Sequence, residues 1–204
     1  MKQIAIIGCG GHTRSSVNLL EQAFEGAHKA LYDDSYSPGC EESVGSMKLV
    51  GRIADIPSDS RLFLSVGDNT VRGSYYDRFG ARVVGRNLLH HLAFTEDHVA
   101  MGRANQVFAH AYINAYATIG DDNIINSGAI IEHEVSLGSH NHISVGARVC
   151  GRSRIGSYCM IGAGATIIDK VSICDHVIVG AGSVVISDIV DRGTYVGVPA
   201  RKLP

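Results

Sequence analysis

The stretch that decides the fold runs from residue 107 to residue 137 and reads VFAHAYINAYATIGDDNIINSGAIIEHEVSL. Every sixth residue of it is aliphatic, beginning with Val107 and Ile113, and the spacing continues without insertion to Val185. All fourteen positions of this ladder carry Val, Ile or Leu. A helix would spread such positions around its surface, whereas short strands joined by turns keep them on one side. The hexapeptide spacing therefore predicts a parallel β-helix.

Composition excludes several classes of protein. The 204 residues carry a net charge of −2, which offers no basic surface for nucleic acid or an anionic membrane. No apolar run approaches the ~20 residues of a transmembrane helix. The five cysteines are an odd number and form no CxxC pair, so we expect reduced thiols and a cytoplasmic location.

Residues 1–85, which precede the repeats, have a different pattern, in which apolar runs alternate with helical segments. Residues 4–7 predict a buried strand, and a glycine-rich turn leads from them into a helix over residues 13–24. We expect further strands at 29–32, 61–66 and 81–84 and a helix at 70–79. Strands that alternate with helices indicate a small parallel α/β unit.

The glycine-rich turn, Gly8 to His12, has three interpretations. It shows a GxG pattern, but the third glycine of a dinucleotide fingerprint would fall on Thr13, so the dinucleotide signal is weak. The turn could simply connect strand and helix. A pocket for one nucleotide or sugar fits better, because parallel sheets bind ligands at the carboxyl ends of their strands. Such a pocket would use Gly10, Gly11, His12, Asp33, Asp34 and Gly67.

These patterns divide the chain into two domains. Residues 1–85 form the α/β domain, and residues 86–204 form the β-helix domain with a C-terminal tail. Residues 85–103 show no clean period, so we expect the repeats to begin near Met101 and to end near Ile189.

Five motifs then give the chain a family resemblance over nearly its whole length. They are Gly8-Cys9-Gly10-Gly11-His12, Tyr32-Asp33-Asp34, Gly67-Asp68-Asn69, Ile130-Ile131-Glu132-His133-Glu134 and Val196-Gly197-Val198-Pro199-Ala200. With them the chain resembles bacterial hexapeptide-repeat sugar acetyltransferases that pair a Rossmann-like domain with a left-handed β-helix. That group includes UDP-4-amino-sugar N-acetyltransferases and sialic acid O-acetyltransferases. Thr13 departs from the small residue usual in the family after Gly-Gly-His.

The resemblance implies a homotrimer of triangular coils, each made of three hexads, with active sites between neighbouring subunits and acetyl-CoA as co-substrate. It also assigns His133 as the general base and Glu134 as its carboxylate partner. The residues allow this reading, because His133 stands away from the inward positions and a bonded carboxylate would fix its tautomer. The alternative for His133 is an ordinary exposed histidine.

The length of one coil, three hexads, adds Gly151 as a further candidate for the site. Gly151 lies one full coil after His133 and should stack beside it. Its N–H could donate to the thioester oxygen as that atom gains charge. It could equally be a corner glycine that is needed only for its backbone angles.

The family pattern places an acetyl-CoA contact at His142. We expect the coenzyme arm to lie along later coils, against the backbone of Gly162, Ala163, Gly180 and Ala181. Arg201 and Lys202 could meet its phosphates or could simply be solvated. His140 reads as a solvated surface histidine. No two of the ten histidines are five residues apart, as they are in β-helix carbonic anhydrases, so we expect no metal site.

The sequence thus favours an acetyl-CoA-dependent N-acetyltransferase acting on a UDP-linked or other nucleotide-linked 4-amino sugar in bacterial surface glycan biosynthesis. Direct attack is expected, because no cysteine stands beside His133. One alternative is a sialic or nonulosonic acid O-acetyltransferase. Another is a non-catalytic trimeric scaffold that binds nucleotides.

Overall fold

The computed structural model describes residues 3–204, and the chain folds as two compact units, 1–85 and 86–204. The longest helix has 11 residues. Within residues 3–204, no helix has the length and apolar character that crossing a membrane would require.

The first unit is a five-stranded sheet with the strand order β3-β4-β2-β1-β5. The strands are β1 (Ile4–Ile7), β2 (Lys29–Tyr32), β3 (Ser43–Val44), β4 (Met47–Gly51) and β5 (Arg61–Leu64). Strand β1 pairs in parallel with both β2 and β5. A central strand is covered on both faces, which explains why Ala5, Ile6 and Ile7 are all apolar and fully buried. The expected parallel α/β unit is therefore present.

The helices of this unit are α1 (Gly11–Ser15), α2 (Val17–Ala23) and α3 (Asn69–Phe79). The predicted single helix over 13–24 was wrong, because it is interrupted at Ser16. The Ser16 hydroxyl lies 2.8 Å from the His12 carbonyl oxygen and 2.9 Å from the Ser65 hydroxyl. A serine that bonds to the backbone and to a neighbouring strand competes with the regular helix.

One other expectation for this unit was wrong, and one hairpin was missed. The predicted strand over 81–84 is instead a 3-10 turn, Gly80–Arg82, followed by a single bridge between Leu62 and Val83. The antiparallel hairpin of β3 and β4 was missed. A two-residue strand such as β3 carries too short a pattern to be read from the sequence.

Asp33 ties the glycine-rich turn to the end of β2. One carboxylate oxygen accepts a hydrogen bond from the Cys9 N–H at 2.9 Å, and the other accepts one from the Ser35 N–H at 2.9 Å. The turn itself requires glycine at Gly8, where φ is +113° and a Cβ would lie 2.5 Å from the Ser65 carbonyl oxygen. The turn is thus held between the ends of β2 and β5.

The second unit is a parallel β-helix whose strands form three faces. Face I contains β6 (Leu88–Leu89), β9 (Gln106–Val107), β12 (Ile124–Ile125), β15 (His142–Ile143), β18 (Met160–Ile161), β21 (Val177–Val179), β23 (Gly193–Val196) and β24 (Arg201–Lys202). Face II contains β7 (Phe94–Thr95), β10 (Tyr112–Ile113), β13 (Ile130–Ile131), β16 (Arg148–Val149), β19 (Thr166–Ile167) and β22 (Val184–Val185). Face III contains β8 (Ala100–Met101), β11 (Thr118–Ile119), β14 (Ser136–Leu137), β17 (Arg154–Ile155) and β20 (Ser172–Ile173).

Consecutive coils pair with a constant offset of three hexads, as in Ile113 opposite Ile131 and Ile131 opposite Val149. The predicted start of the repeats near Met101 was wrong, because β6 at Leu88 already belongs to the first coil. The first coil was hidden because Thr95 stands where later coils carry an aliphatic residue.

The predicted ladder residues line the interior of the coil. Val107, Ile113, Ile125 and Ile131 are fully buried, and Cys159 fills one of the small inward positions. The two inward asparagines of the small-residue series, Asn123 and Asn141, each accept a hydrogen bond from the next coil. The Asn123 carboxamide oxygen accepts from the Asn141 N–H at 2.8 Å, and its own backbone N–H donates to the Asn105 carboxamide oxygen at 2.8 Å. These side chains form a hydrogen-bonded column inside the coil, which offsets part of the cost of burying them.

The three corners share one backbone conformation. A positive φ recurs every six residues from His98 to Gly182. At the corner between faces I and II this position is glycine in four coils, namely Gly128, Gly146, Gly164 and Gly182. At the other two corners it carries side chains: His98, Tyr116, Glu134, Arg152 and Lys170 between faces II and III, and Ala104, Asp122, His140, Tyr158 and His176 between faces III and I.

His140 is not the solvated histidine that the sequence suggested. It is 8% exposed, and its Nδ1 lies 2.9 Å from a carboxylate oxygen of Asp122. Its ring also stacks on Tyr158 with 4.7 Å between centroids. The residue one coil earlier supplies the partner, which only the register between coils brings beside it.

The asparagine column gives a first testable prediction. Asn123→Ala leaves the Asn141 N–H buried without its acceptor, so the free energy of unfolding should fall by about 1–3 kcal/mol. Urea denaturation with an unchanged m-value measures this loss. The exposed Thr118, on face III of the same coil, provides the control. Thr118→Ala should stay within about 0.5 kcal/mol of wild type; equal losses in the two variants would contradict the role of the column.

Asp33 gives a second prediction. Burial raises the pKa of its carboxyl group, but hydrogen bonds from Ser35 and from the Cys9 N–H outweigh it and hold the pKa below 3.8. A pKa depressed by folding adds stability above the unfolded value, and this is lost as the pH falls through the folded value. Unfolding curves of wild type and Asp33→Asn should therefore differ at pH 7 and converge below about pH 3.8. The exposed Asp59 supplies the control variant Asp59→Asn, and a constant gap for Asp33→Asn would contradict the assignment.

Candidate active site

The side chains of His133 and Glu134 form a pair at the corner between faces II and III, here called the base corner. The His133 Nδ1 lies 3.0 Å from a carboxylate oxygen of Glu134, and the two side chains are 44% and 55% exposed. Because an ionised carboxylate can only accept, Nδ1 donates in this contact. The Nε2 of the neutral ring is thereby left as a proton acceptor.

Gly151 lies directly beside the His133 ring, as the offset of one coil predicts. A Cβ at position 151 would stand 2.6 Å from Nε2 and 2.7 Å from Cε1 of His133. Any side chain there would have to displace the His133 ring, so the observed position of the ring depends on glycine at 151. Within residues 3–204 the Gly151 N–H donates no hydrogen bond, so it is available as a donor.

The neighbouring side chains show why Glu134 is the partner of His133. Glu132 accepts a hydrogen bond from the Asn114 carboxamide at 2.6 Å, so it is engaged with the preceding coil. Cys150 precedes Gly151, and burial together with the charges of Glu132 and Asp169 raises the pKa of its thiol. A protonated thiol is a poor nucleophile.

The residues expected to bind acetyl-CoA lie on a different side of the coil. His142 points outward from face I, and its Nε2 lies 3.1 Å from the Asn126 carboxamide nitrogen. Gly162, Ala163, Gly180 and Ala181 follow face I strands and so form the corner between faces I and II, here called the glycine corner. In a triangular coil, face I lies opposite the base corner. The structure therefore brings His133, Glu134 and Gly151 together, but it keeps them apart from His142.

Sequence reasoning missed Asn126 as the neighbour of His142. The coil offset could have found it, because Asn126 and Ser144 occupy the same corner position in successive coils. Two of the predicted glycines have packing reasons of their own. A Cβ at Gly162 would stand 2.6 Å from the Ala181 nitrogen, and one at Gly180 would stand 2.7 Å from a Val196 methyl.

The first unit contains a cavity of about 170 Å³ at the carboxyl ends of its parallel strands. Its lining consists of Ile7, Gly8, Asp33, Asp34, Ile53, Val66, Val71 and Tyr75. Burial raises the pKa of the Tyr75 phenol, and the charges of Asp34 and Asp33 raise it further, as expected for a ring that shares a cavity with two carboxylates. This is the edge of the sheet at which we expected a nucleotide or sugar.

Only part of the predicted pocket lines this cavity. Asp33 and Asp34 do, whereas Gly10, Gly11, His12 and Gly67 are not among its lining residues. Gly67 instead faces His12, since a Cβ there would lie 3.5 Å from the His12 Cβ. Thr13 is fully buried, and its hydroxyl donates to the Ser65 carbonyl at 3.2 Å, so it holds α1 to β5.

The aromatic and apolar lining residues were missed from the sequence. Val71 and Tyr75 stand four positions apart on α3, and that spacing puts them on one helix face. Across residues 3–204, no three His, Cys, Asp or Glu side chains gather closely enough to hold a metal ion.

Comparisons with known proteins match segments of both units. The family model described as the PglD N-terminal domain matches residues 3–79. The model for the bacterial transferase hexapeptide matches residues 152–187. A comparison with curated proteins gives no match.

Solved structures resemble the whole chain. A histidine-to-asparagine variant of perosamine N-acetyltransferase from Caulobacter crescentus, in complex with CoA and GDP-perosamine, is 30% identical with a TM-score of 0.91, covering 100% of this chain and 98% of that one. PerB from the same organism, also with CoA and GDP-perosamine, is 31% identical with a TM-score of 0.89 over the same shares. The acetyltransferase domain of PglB from Neisseria gonorrhoeae is 28% identical with a TM-score of 0.88, covering 100% of both chains.

These likenesses extend over both units, and they agree with the α/β sheet and with the six-residue ladder. The fold is a Rossmann-like domain followed by a left-handed parallel β-helix. The chain belongs to the hexapeptide-repeat sugar acetyltransferases with a PglD-type N-terminal domain, which are acyltransferases that use acetyl-CoA.

Proposed function

We propose that this protein transfers the acetyl group of acetyl-CoA to the amino group of a nucleotide-linked amino sugar in bacterial surface glycan biosynthesis. The observation that carries the proposal is the His133 ring, bonded to Glu134 and lying over Gly151, in a chain that resembles a perosamine N-acetyltransferase over its full length. That relative binds CoA and GDP-perosamine. N-acetylation is therefore favoured over O-acetylation.

The geometry of the base corner supports direct attack. His133 Nε2 takes a proton as the sugar amine adds to the thioester carbonyl, and the Gly151 N–H donates to the oxygen that gains charge. When the carbon–sulfur bond breaks, the thiolate of CoA leaves and receives the proton from His133. Glu134 holds the ring in the tautomer that leaves Nε2 free to accept. Such a base contributes roughly 10²–10⁴-fold to the rate.

A covalent acyl-cysteine is disfavoured by the thiols themselves. Cys150 is the cysteine next to Gly151, and the raised pKa of its thiol keeps it protonated near neutral pH. Cys159 is fully buried, and burial raises its pKa to about 11. Within residues 3–204 none of the five cysteines is joined in a disulfide, which supports a reducing, cytoplasmic location.

The separation of His133 from His142 supports a homotrimer. A site that uses His133 as base and His142 as an acetyl-CoA contact cannot be assembled within one coil, because the base corner lies opposite face I. Two copies can assemble it if the base corner of one meets the glycine corner and face I of the next. A head-to-tail contact of this kind closes into a ring, which the family resemblance gives as a trimer.

The cavity of the first unit is our candidate for the nucleotide. Tyr75 and Val71 offer an apolar wall, and Asp33 and Asp34 offer acceptors for base or ribose donors. This division leaves the choice of sugar nucleotide to the first unit and the acetyl transfer to the β-helix.

The function is tested by measuring acetyl-CoA turnover with UDP-linked amino sugars, GDP-linked amino sugars and sialic acids as acceptors. The free thiol of the released CoA is the readout. Turnover with a nucleotide-linked amino sugar supports the proposal. Turnover with sialic acids alone would favour the O-acetyltransferase, and binding of nucleotides without turnover would favour the scaffold.

The base assignment is tested on the same assay. His133→Ala should lower kcat by about 10²–10⁴-fold, because the proton of the amine loses its acceptor. Cys150→Ser should retain turnover within a few-fold, since no acyl-thiol forms. His176→Ala, a histidine at another corner, is the matched control. Full activity of His133→Ala with an inactive Cys150→Ser would replace direct attack by a covalent route.

The composite site gives a prediction of its own. His133→Ala and His142→Ala should each be impaired alone, but their co-expression should restore about one quarter of the wild-type sites. Each site needs an intact His133 from one copy and an intact His142 from the next, which gives about ½ × ½ at equal amounts. Co-expression that restores no activity would place both histidines in the same copy's site.

A further inference from the structure

We infer that Tyr116 binds the ring of the acceptor sugar, with its phenol hydroxyl hydrogen-bonded to a sugar hydroxyl and its own ring held in place by His98. The inference rests on the proposed function, because it takes His133 as the base that receives the proton of the sugar amine. It adds a residue that orients the sugar, which the proposed activity leaves open.

The first step fixes the side of the His133 ring on which the sugar lies. The coil after His133 carries Gly151, whose N–H is the proposed donor to the thioester oxygen. The coenzyme arm is expected along the later coils. The thioester therefore occupies the later-coil side of the ring, and the earlier-coil side is left for the sugar.

The second step is what the structure places on that earlier-coil side. The equivalent of His133 one coil earlier is Ala115, which has only a methyl group, and the next residue is Tyr116. The register is fixed by the Glu134 N–H, which donates to the Ala115 carbonyl oxygen at 3.1 Å. Because neighbouring strands lie roughly 4.8 Å apart, a sugar whose amine contacts His133 reaches the level of Tyr116.

The third step is that the phenol of Tyr116 is open to a ligand. Its side chain is on a residue that is 61% exposed, and within residues 3–204 its hydroxyl has no hydrogen-bond partner. Other polar groups near this corner are engaged inside the chain. The Tyr112 hydroxyl donates to Glu96 at 2.9 Å, and the Asn114 carboxamide donates to Glu132 at 2.6 Å.

The ring of Tyr116 is also held in a fixed orientation. It stacks on the His98 ring with 5.1 Å between centroids and 8° between planes. Both residues have a positive φ, +62° and +64°, which is uncommon for a large side chain and which glycine adopts at the glycine corner. The backbone alone therefore does not call for an aromatic residue here. A ring that is already held loses little freedom when it binds, and tyrosine combines apolar contact area with a polar tip.

A second stack in the β-helix serves as an internal comparison. Tyr158 lies between the rings of His140 and His176, at 4.7 Å and 5.0 Å between centroids. That stack stands at the corner between faces III and I, and its first member, His140, is buried and bonded to Asp122. It lies at a different corner from His133, so Tyr158 provides a matched control for Tyr116.

The first test removes the hydroxyl alone. Tyr116→Phe should raise the KM for UDP-linked or GDP-linked 4-amino sugars by about 3–10-fold, which is the value of one neutral hydrogen bond. Its kcat and its KM for acetyl-CoA should stay within about twofold of wild type, because only binding of the sugar is weakened. Tyr116→Ala, which also loses the ring, should lower kcat/KM for the sugar by at least about tenfold. Tyr158→Phe should match wild type, and far-UV circular dichroism confirms the fold of each variant.

The role of His98 is tested by removing and then restoring the stack. His98→Ala should raise the KM for the amino sugar several-fold, since the ring of Tyr116 loses its support. His98→Phe keeps a flat ring at this position and should return the KM to near the wild-type value. Equal effects of the two His98 variants would contradict the role of the stack.

A binding measurement that needs no turnover completes the test. In protein labelled with fluorotyrosine, the fluorine NMR signal of Tyr116 is identified by its loss in Tyr116→Phe. UDP-linked or GDP-linked 4-amino sugars should shift this signal, whereas UDP, GDP and acetyl-CoA should leave it in place. The signal of Tyr158 should not respond to any of them.

Several results would overturn the inference. One is a KM for the amino sugar that is unchanged in both Tyr116 variants, and another is an equal rise in the KM for acetyl-CoA. A shift of the Tyr116 signal by UDP or GDP alone would assign the contact to the nucleotide instead of the sugar. A shift by the amino sugars without any acetyl transfer would refute the proposed function alone. Acetyl transfer with an unmoved signal and an unchanged KM would refute the role of Tyr116 alone, and the absence of both transfer and shift would refute both.

Discussion

The structure depends on one constraint: the backbone N–H and carbonyl groups of each coil must lie level with their hydrogen-bonding partners in the next coil. Each residue lies beside its equivalent one coil later, so the Asn114 N–H donates to the Ile131 carbonyl oxygen at 2.8 Å and the Gly120 N–H donates to Leu137 at 2.9 Å. An insertion of one residue would rotate every later side chain out of its place, since alternate residues of a strand point to opposite sides. The unbroken ladder is the consequence of that intolerance.

Because of the same constraint, the number of a residue determines the face or corner of the β-helix on which it lies. Because three corners repeat with a common left-handed backbone, the residue at each corner can be chosen for its chemistry. Glycine leaves the glycine corner smooth, although Glu134 and His140 show that the same φ accepts a side chain elsewhere. The base corner carries the His133–Glu134 pair, with Gly151 making room for the ring. The side chains at the corners thus differ from coil to coil, while the ladder residues of the interior stay aliphatic.

The first unit obeys no such rule. Its site is built by contacts between distant segments, such as the Asp33 carboxylate on the Cys9 N–H and the Thr13 hydroxyl on Ser65. These bonds order the glycine-rich turn. Tyr75, which belongs to a helix far along the chain, lines the cavity. The two units therefore rest on two kinds of architecture, one aperiodic and one periodic.

The sequence by itself determined the β-helix, the stacking of Gly151 on His133 and the inward place of Cys159, because a fixed period makes distant neighbours computable. It also indicated the parallel strands of the first unit, since buried strands need apolar residues on both faces. Only the tertiary structure decided that Thr95 belongs to a first coil, that His140 is buried against Asp122, and that Tyr75 lines a cavity while Gly10 does not. Those outcomes depend on contacts between residues with no common period, and they exist only once the chain has folded.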